Sequence, residues 1–371
     1  MTAIVWDERF AWHDAGRASG SPWAEPYPAL DRPESKRRIW SLIQASGLAD
    51  HLVALKPRPA TEAELMRFHT SAYIDRVKSL SAGGGGDAGE SAPLGPGGFE
   101  IASLAAGACI EATDAVLCGG AGNAYALVRP CGHHAEPDRG RGFCIFGNVV
   151  LAAEHARKRH GAERVAIVDW DVHHGNGTQG AYYAEPDVLT ISIHQDGYYP
   201  TDSGAADETG ESRGTGANIN IPLPAGSGHG AYLAAFDDVV VPALDGFRPE
   251  LILVASGFDA AASDPLGRMM CHSETYRLMT RRILDLADRH CGGRLVACQE
   301  GGYAPTYTPF CGLSVVEEMS GVRTAVVDPL LGWYEGLAGQ RLQAHQRDVI
   351  AHVAARLPAG TSRTRRPEPV R

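Results

Sequence analysis

Between Val165 and Gln179 the chain reads V-A-I-V-D-W-D-V-H-H-G-N-G-T-Q, and the change of character inside this stretch restricts the fold strongly. Val165 to Val168 is a short, apolar, mostly β-branched run, as expected of a strand buried on both faces. Asp169, Asp171, His173 and His174 follow at once, then Gly175-Asn176-Gly177. A buried strand that stops at acids and imidazoles puts those groups at its carboxyl end, where open α/β sheets place their ligands. Asp171 and His173 are two residues apart, so on an extended chain both side chains leave the same face. Converging oxygen and nitrogen donors suit a divalent transition metal, zinc above all. A solvated loop with incidental acids and histidines is the competing explanation. Ligand type and spacing favour the metal.

Three more strand-like runs end the same way. Arg129-Pro130-Cys131-Gly132-His133-His134-Ala135 follows Tyr125 to Val128. Ser256-Gly257-Phe258-Asp259, then Asp264-Pro265-Leu266-Gly267, follows Leu251 to Ala255. Glu300-Gly301-Gly302-Tyr303 follows Leu295 to Cys298. Together these motifs resemble the zinc-dependent histone deacetylase family, in particular its bacterial histone deacetylase-like amidohydrolases grouped with class II. The resemblance runs from Val5 to about Val326.

Length and composition are compatible with a single catalytic domain over residues 1–360. The chain has 371 residues, long for one domain but within the range of α/β folds. With 44% hydrophobic residues it can bury a large core. A formal charge of −10 gives no electrostatic reason to expect nucleic-acid binding and weakly favours cationic substrates. The eight cysteines form no CxxC pair, which reads as reduced, mostly buried thiols. The N-terminus carries no basic segment, and no stretch approaches the roughly 18 apolar residues of a membrane span. A cytoplasmic protein with neither nucleic acid nor membrane as partner is expected, assembled as a homo-oligomer (dimer or tetramer).

In chain order, Ala3 to Trp6 reads as a strand, Ala11 to Arg32 as a loop and Glu34 to Ser46 as a helix. Thr61 and Glu64 form a possible capping box. The glycine-rich stretch from Gly83 to Gly98 reads as a flexible surface loop. Phe99 to Leu117 is an Ala-rich helix. Strands at Asp187 to His194 and Asn218 to Ile221 then alternate with helices at Ala231 to Leu244, Ser273 to Arg289 and Pro309 to Met319. Such alternation argues for a mainly parallel sheet covered on both faces. The resemblance implies the same α/β architecture, an eight-stranded mainly parallel sheet of the arginase-deacetylase type. The tail 361–371 reads as disordered.

The resemblance also implies roles. Asp171, His173 and Asp259 match the family's zinc ligands, and three protein ligands with one open position is the usual catalytic arrangement. Asp264 is a rival carboxylate, although its place before Pro265 suits a turn. His174 rivals His173, but neighbouring side chains on an extended chain diverge. Binuclear ureohydrolases of the same fold carry further aspartates where this chain has Gly175 and Ala261, so one zinc is expected. His133 and His134 match the acid–base pair, backed by Asp169 and Asn176 respectively. An ionised Asp169 favours imidazolium at His133, whereas neutral Asn176 orients His134 without comparably stabilising its charge. His134 is therefore expected as general base and then acid, with His133 as electrostatic helper. Tyr303 is expected to donate a hydrogen bond to the oxyanion.

For substrate access, Gly142-Phe143 and Tyr199 match the aromatic walls of an acyl-lysine tunnel, which predicts inhibition by linear hydroxamates. Leu266 stands where polyamine-selective relatives carry a glutamate. Asp87 is a candidate for binding substrate backbone at the rim, or else a turn residue. A structural potassium ion is implied near Asp169, Asp171, His173 and Ser192. Cys131 replaces the usual proline and Gly147 the usual asparagine. The expected activity is zinc-dependent hydrolysis of N-acetyl or N-acyl amides on lysine side chains. Hydrolysis of acetylpolyamines or a related N-acyl amine is the alternative, and a silent acyl-lysine-binding module is a more distant one.

Overall fold

The apolar runs become eight strands: β1 Thr2–Val5, β2 Val53–Leu55, β3 Asn123–Ala126, β4 Val165–Asp169, β5 Val188–Gln195, β6 Asn218–Leu223, β7 Leu251–Ser256 and β8 Leu295–Gln299. In the computed structural model they form one sheet in the order β6-β5-β4-β7-β8-β3-β1-β2. Every neighbouring pair is parallel. The structure describes residues 1–18 and 27–357, so part of the loop Ala11 to Arg32 and the tail 361–371 lie outside the described residues.

Alternation along each strand feeds two cores. Val165 and Ile167 of β4 face one cluster with Leu104, Val116 and Val149, whereas Ala166 and Val168 face another with Ile39, Phe236 and Ile283. Helices therefore cover both faces: α1 Pro33–Ala45, α2 Ser71–Ala82, α3 Gly98–Leu117, α4 Asn148–His160, α5 Ser273–Cys291 and α6 Thr308–Ser320 are the longest of them. Burial on both faces explains why the strands read as continuous apolar runs. Among the described residues no helix is long and apolar enough to cross a membrane.

The strand order matters most for function. β4, β7, β8 and β3 are consecutive neighbours in the sheet although they are far apart in the chain. Their register aligns Asp169 with Ala255, Ser256 with Gln299 and Cys298 with Ala126. All four motif-bearing ends therefore open onto one edge of the sheet.

Several boundaries differ from those expected. β3 spans Asn123–Ala126 because its partners on β1 and β8 pair only that far. The helix over Ala231 to Leu244 is interrupted at Phe236–Val240 by a wider turn. Pro242, which lacks an N–H and crowds the carbonyl four residues back, accounts for the widening. The edge strand β2 and helix α2 were not anticipated: three residues are too few to show a period, and α2 buries only Tyr73, Ile74, Val77 and Ser81. The Gly83 to Gly98 stretch is not a free loop. Gly86–Asp87 pairs with Pro93–Leu94, and Gly89–Glu90 pairs with Gly140–Arg141. The capping box forms, with Thr61 N donating to Glu64 Oε2 at 2.8 Å and Glu64 N to Thr61 Oγ1 at 3.2 Å.

Candidate active site

The donor set at the sheet edge is assembled by backbone hydrogen bonds. Just after β4, Asp171 N donates to Asp169 Oδ1 at 3.0 Å, and His173 N donates to Asp171 Oδ1 at 2.9 Å. These two bonds turn the acid and the imidazole the same way. His173 Nδ1 then lies 3.0 Å from Asp171 Oδ1 and 3.1 Å from Asp259 Oδ2. One donor atom from each of Asp171, His173 and Asp259 lies within 4.8 Å of the others, and all three residues are buried. The outer oxygens are occupied: Gly301 N donates to Asp171 Oδ2 at 2.8 Å and Val172 N to Asp259 Oδ1 at 2.8 Å.

Asp259 Oδ2 is buried and accepts no hydrogen bond. A buried carboxylate oxygen without a donor is costly unless a cation faces it. Gly301 keeps the space open, since a Cβ there would collide with Asp259 Oδ2 and reach within 2.6 Å of Asp171 Oδ2. An O, N, O set with a recess kept open in front of it fits a zinc ion.

The rivals point elsewhere. Asp264 accepts from Leu266 N at 2.9 Å through Oδ1 and from Tyr303 N at 2.7 Å through Oδ2. Burial and the neighbouring Asp259 push its carboxyl up to about 8. His174 contacts Ser203 Oγ at 2.9 Å and Gln179 Oε1 at 3.1 Å.

The two adjacent histidines sit in opposite fields. His133 Nδ1 lies 2.9 Å from Asp169 Oδ2. Burial opposes charge on this ring, but Asp169 and Asp171 outweigh it and hold the imidazole well above its ordinary value. His134 Nδ1 lies 2.8 Å from Asn176 Oδ1. The amide's Nδ2 faces two acceptors, Glu136 Oε1 at 2.9 Å and His134 O at 3.3 Å, so the amide oxygen must face the ring. His134 therefore carries its proton on Nδ1 and keeps the Nε2 lone pair free. Burial first, then positive charge on His133 and His173, holds His134 well below its ordinary value. The rings are 3.9 Å apart, one a stabilised cation and the other a neutral base.

Glu300 is a functional neighbour to which the sequence reading assigned no role. Its Oε2 accepts from Gly132 N at 2.7 Å and His133 N at 3.1 Å, anchoring the backbone of the histidine loop. Burial pushes its carboxyl up to about 7. Its place directly after β8, one step ahead of the Gly-Gly-Tyr bend, was the available signal.

A cavity of about 300 Å³ opens over these groups, lined by His134, His173, Tyr303, Phe143, Tyr198, Tyr199, Leu266, Gly142 and Ser91. Gly142 and Phe143 have φ of 50° and 65°. A Cβ on Gly142 would come 2.9 Å from Tyr199 Cε1, so the glycine lets Tyr199 meet His134 edge to face at 5.0 Å between centroids. Phe143 faces Tyr303 at 5.8 Å. Tyr198, missed from sequence, lies nearly parallel to the His173 ring at 5.8 Å with Arg268 over its own ring. Its position next to Tyr199 was the overlooked signal. Burial pushes the Tyr303 phenol well above its ordinary range, so it stays a donor.

Asp87 does not line the cavity. Its Oδ1 accepts from Gly89 N and Ala92 N at 2.9 and 3.0 Å, the turn role, while Ser91 of the same loop reaches the cavity. Of the residues expected around a monovalent cation, Asp169 and Ser192 line a small separate cavity and Asp171 and His173 do not. Cys131 is buried with its Sγ 3.5 Å from Cys144 Sγ, in a small cluster with Ala135 and Phe143. The structure explains Gly147: a Cβ there would meet the Phe68 ring at 2.8 Å, and its N donates to His69 Nε2 at 3.0 Å.

A family profile for the histone deacetylase domain matches residues 30–319. The chain is 53% identical over 341 residues to a histone deacetylase-like amidohydrolase of Pseudomonas aeruginosa, covering 90% of each chain. It is 36% identical over 303 residues to a polyamine deacetylase of Homo sapiens, covering 79% of this chain and 45% of that protein. Its structure is similar to the crystal structure of the HDA15 HD domain, with a TM-score of 0.85 and 32% identity over 96% of this chain and 94% of that one.

Proposed function

The chain belongs to the histone deacetylase family, and from that membership we propose that it removes acetyl and related acyl groups from lysine side chains with the help of one zinc ion. The observation that carries this reading is the neutral, Asn176-oriented His134, whose free Nε2 shares one cavity with His173 and Tyr303. Asp171, His173 and Asp259 would hold the zinc. When bound, zinc lowers the pKa of a coordinated water to roughly 7 and polarises an amide carbonyl.

The protein's own groups do the rest. His134 Nε2 takes the proton of the attacking water and then delivers it to the leaving amine nitrogen, as a base of low pKa next to a fixed cation can. His133, kept protonated by Asp169, adds positive charge beside the reaction centre. The Tyr303 phenol donates to the carbonyl oxygen as negative charge gathers there. Phe143, Tyr199 and Leu266 surround an aliphatic stem by apolar contact and limit water. Leu266 favours acyl-lysine over acetylpolyamine, because an apolar side chain offers nothing to a distal ammonium. A structural potassium ion near Asp169, Asp171, His173 and Ser192, a cytoplasmic location and a dimeric or tetrameric assembly belong to the same proposal. Flame photometry, fractionation and light scattering check these three points.

The deciding experiment offers the zinc-loaded enzyme acetyl-lysine peptides, longer acyl-lysine peptides and acetylpolyamines, and measures amine release. Turnover of acetyl-lysine peptide, inhibited by a linear hydroxamate, is the expected result. Turnover of acetylpolyamines alone would transfer the assignment to the small-molecule alternative, and no turnover of any amide would refute hydrolysis.

A further inference from the structure

Behind Tyr303 lies a buried charge that neither the donor set nor the histidine pair uses. Lys36, from the first turn of α1, has a side chain only 1% exposed. Its Nζ lies 3.4 Å from Asp31 Oδ1, 3.4 Å from Gly302 O and 4.8 Å from the centroid of the Tyr303 ring. Asp31 is shared: Arg129 Nε lies 3.0 Å from its Oδ2, and Arg129 also donates to Asp31 O at 2.8 Å and His13 O at 2.7 Å. Two cations thus surround one buried carboxylate, leaving an excess positive charge among these three groups.

An architectural tie between α1 and the Arg129 loop needs only Arg129, which already engages Asp31. Lys36 must serve something else, and its remaining contacts both belong to one segment. Gly302 O and Tyr303 N are the two ends of a single peptide unit. Lys36 holds the carbonyl end and Asp264 holds the N–H end, at 2.7 Å. Contacts at both ends resist rotation of this plane and so steady the backbone from which the Tyr303 side chain leaves. The ammonium, with only two long hydrogen bonds for three donors, also presents its charge to the Tyr303 ring. Positive charge beside the ring stabilises the negative charge that develops on the phenol as its proton is shared, and so strengthens the donor.

We propose that Lys36 is a positioning residue for the reaction: it fixes the Gly302–Tyr303 peptide and strengthens the Tyr303 phenol as oxyanion donor. This rests on the amide-hydrolase reading, and the test separates the two. Turnover and KM are measured on an acetyl-lysine peptide for wild type, Lys36→Met, Lys36→Arg, Tyr303→Phe and the Lys36→Met/Tyr303→Phe double variant, all as full chains with thermal melts alongside. Lys36→Met should lower kcat about thirtyfold, the scale of a desolvated cation–π contact, with KM little changed. Lys36→Arg should recover most of that loss. In the Tyr303→Phe background the same substitution should cost less than about twofold, because the group it acts through is gone. If Lys36→Met fails to fold, Lys36→Gln, which keeps a donor for Gly302 and drops the charge, carries the same comparison. Equal losses in both backgrounds, or none in either, would overturn the role of Lys36. A wild-type enzyme no faster than Tyr303→Phe would instead overturn the reading of Tyr303 as oxyanion donor, and with it this inference.

Discussion

At the carboxyl edge of the sheet each reacting side chain is buried and held by a second group. Asp171 is held by Gly301 N, Asp259 by Val172 N, His133 by Asp169 and His134 by Asn176. At the mouth, the loop of Gly86–Glu90 is largely exposed and is held by two short ladders. Asp87 spends its Oδ1 on that loop's own amides. The floor is over-determined, since removing one partner strands another buried polar group, and that penalty is large. The mouth is held by water-exposed contacts, which are individually weak. Chemistry should therefore be fragile to substitution at the floor, whereas substrate choice should be adjustable at the walls and the rim.

Five substitutions test this contrast. Asp259→Ala removes a donor and leaves His173 and Asp171 facing a gap, so most of the zinc should be lost and activity should fall by more than about a hundredfold. Metal analysis beside turnover checks it, and a variant that keeps both would show that the donor set is wrong. Tyr303→Phe should lower kcat about 100- to 1000-fold with affinity nearly intact, because the donor matters as charge develops. A loss under about fivefold would make the tyrosine a wall of the cavity and not a donor.

Asn176→Asp places a negative charge where a neutral amide now faces His134. A carboxylate there favours imidazolium, so the His134 pKa rises and the free base disappears at higher pH than in wild type. The acidic limb of kcat/KM should move up by about one pH unit, with activity at neutral pH little changed because His134 starts well below its ordinary value. An unmoved limb would remove His134 from the role of base. Leu266→Glu should improve acetylpolyamine relative to acetyl-lysine peptide by about fivefold, a wall effect that leaves the floor chemistry in place. Loss of both activities together would mean that wall and floor are not separable. Asp87→Ala should change kcat/KM by less than about threefold, as for an exposed turn contact. A larger loss would show that the mouth is as tightly specified as the floor.

Much of this site is legible in the chain itself. An apolar run that breaks into Asp169, Asp171, His173 and His174 states its own position in a sheet, and a spacing of two states which side chains share a face. The difference between Asp169 and Asn176 likewise foretells that the two histidines carry unequal charge, because a carboxylate and an amide differ electrostatically wherever they are placed. These are local properties, set by side-chain chemistry and strand period. They are also why Asp171 and His173 could be paired without knowing the strand order, whereas Asp259 joined them through the family resemblance.

Other features depend on segments far apart in the chain. That β4, β7, β8 and β3 lie side by side follows from pairings between residues separated by scores of positions, which no local pattern encodes. Asp264 looked like a turn residue and is one, but only the fold brings its second oxygen to Tyr303 N. Glu300 beneath the histidine loop, Tyr198 against His173 and Lys36 behind Tyr303 became visible in the same way. The sequence alone determined which groups can ionise, donate or ligate, and on which side of a strand they stand. The tertiary structure decided which of them share a buried space, because burial and distance set the size of every electrostatic effect and both are properties of the packed chain.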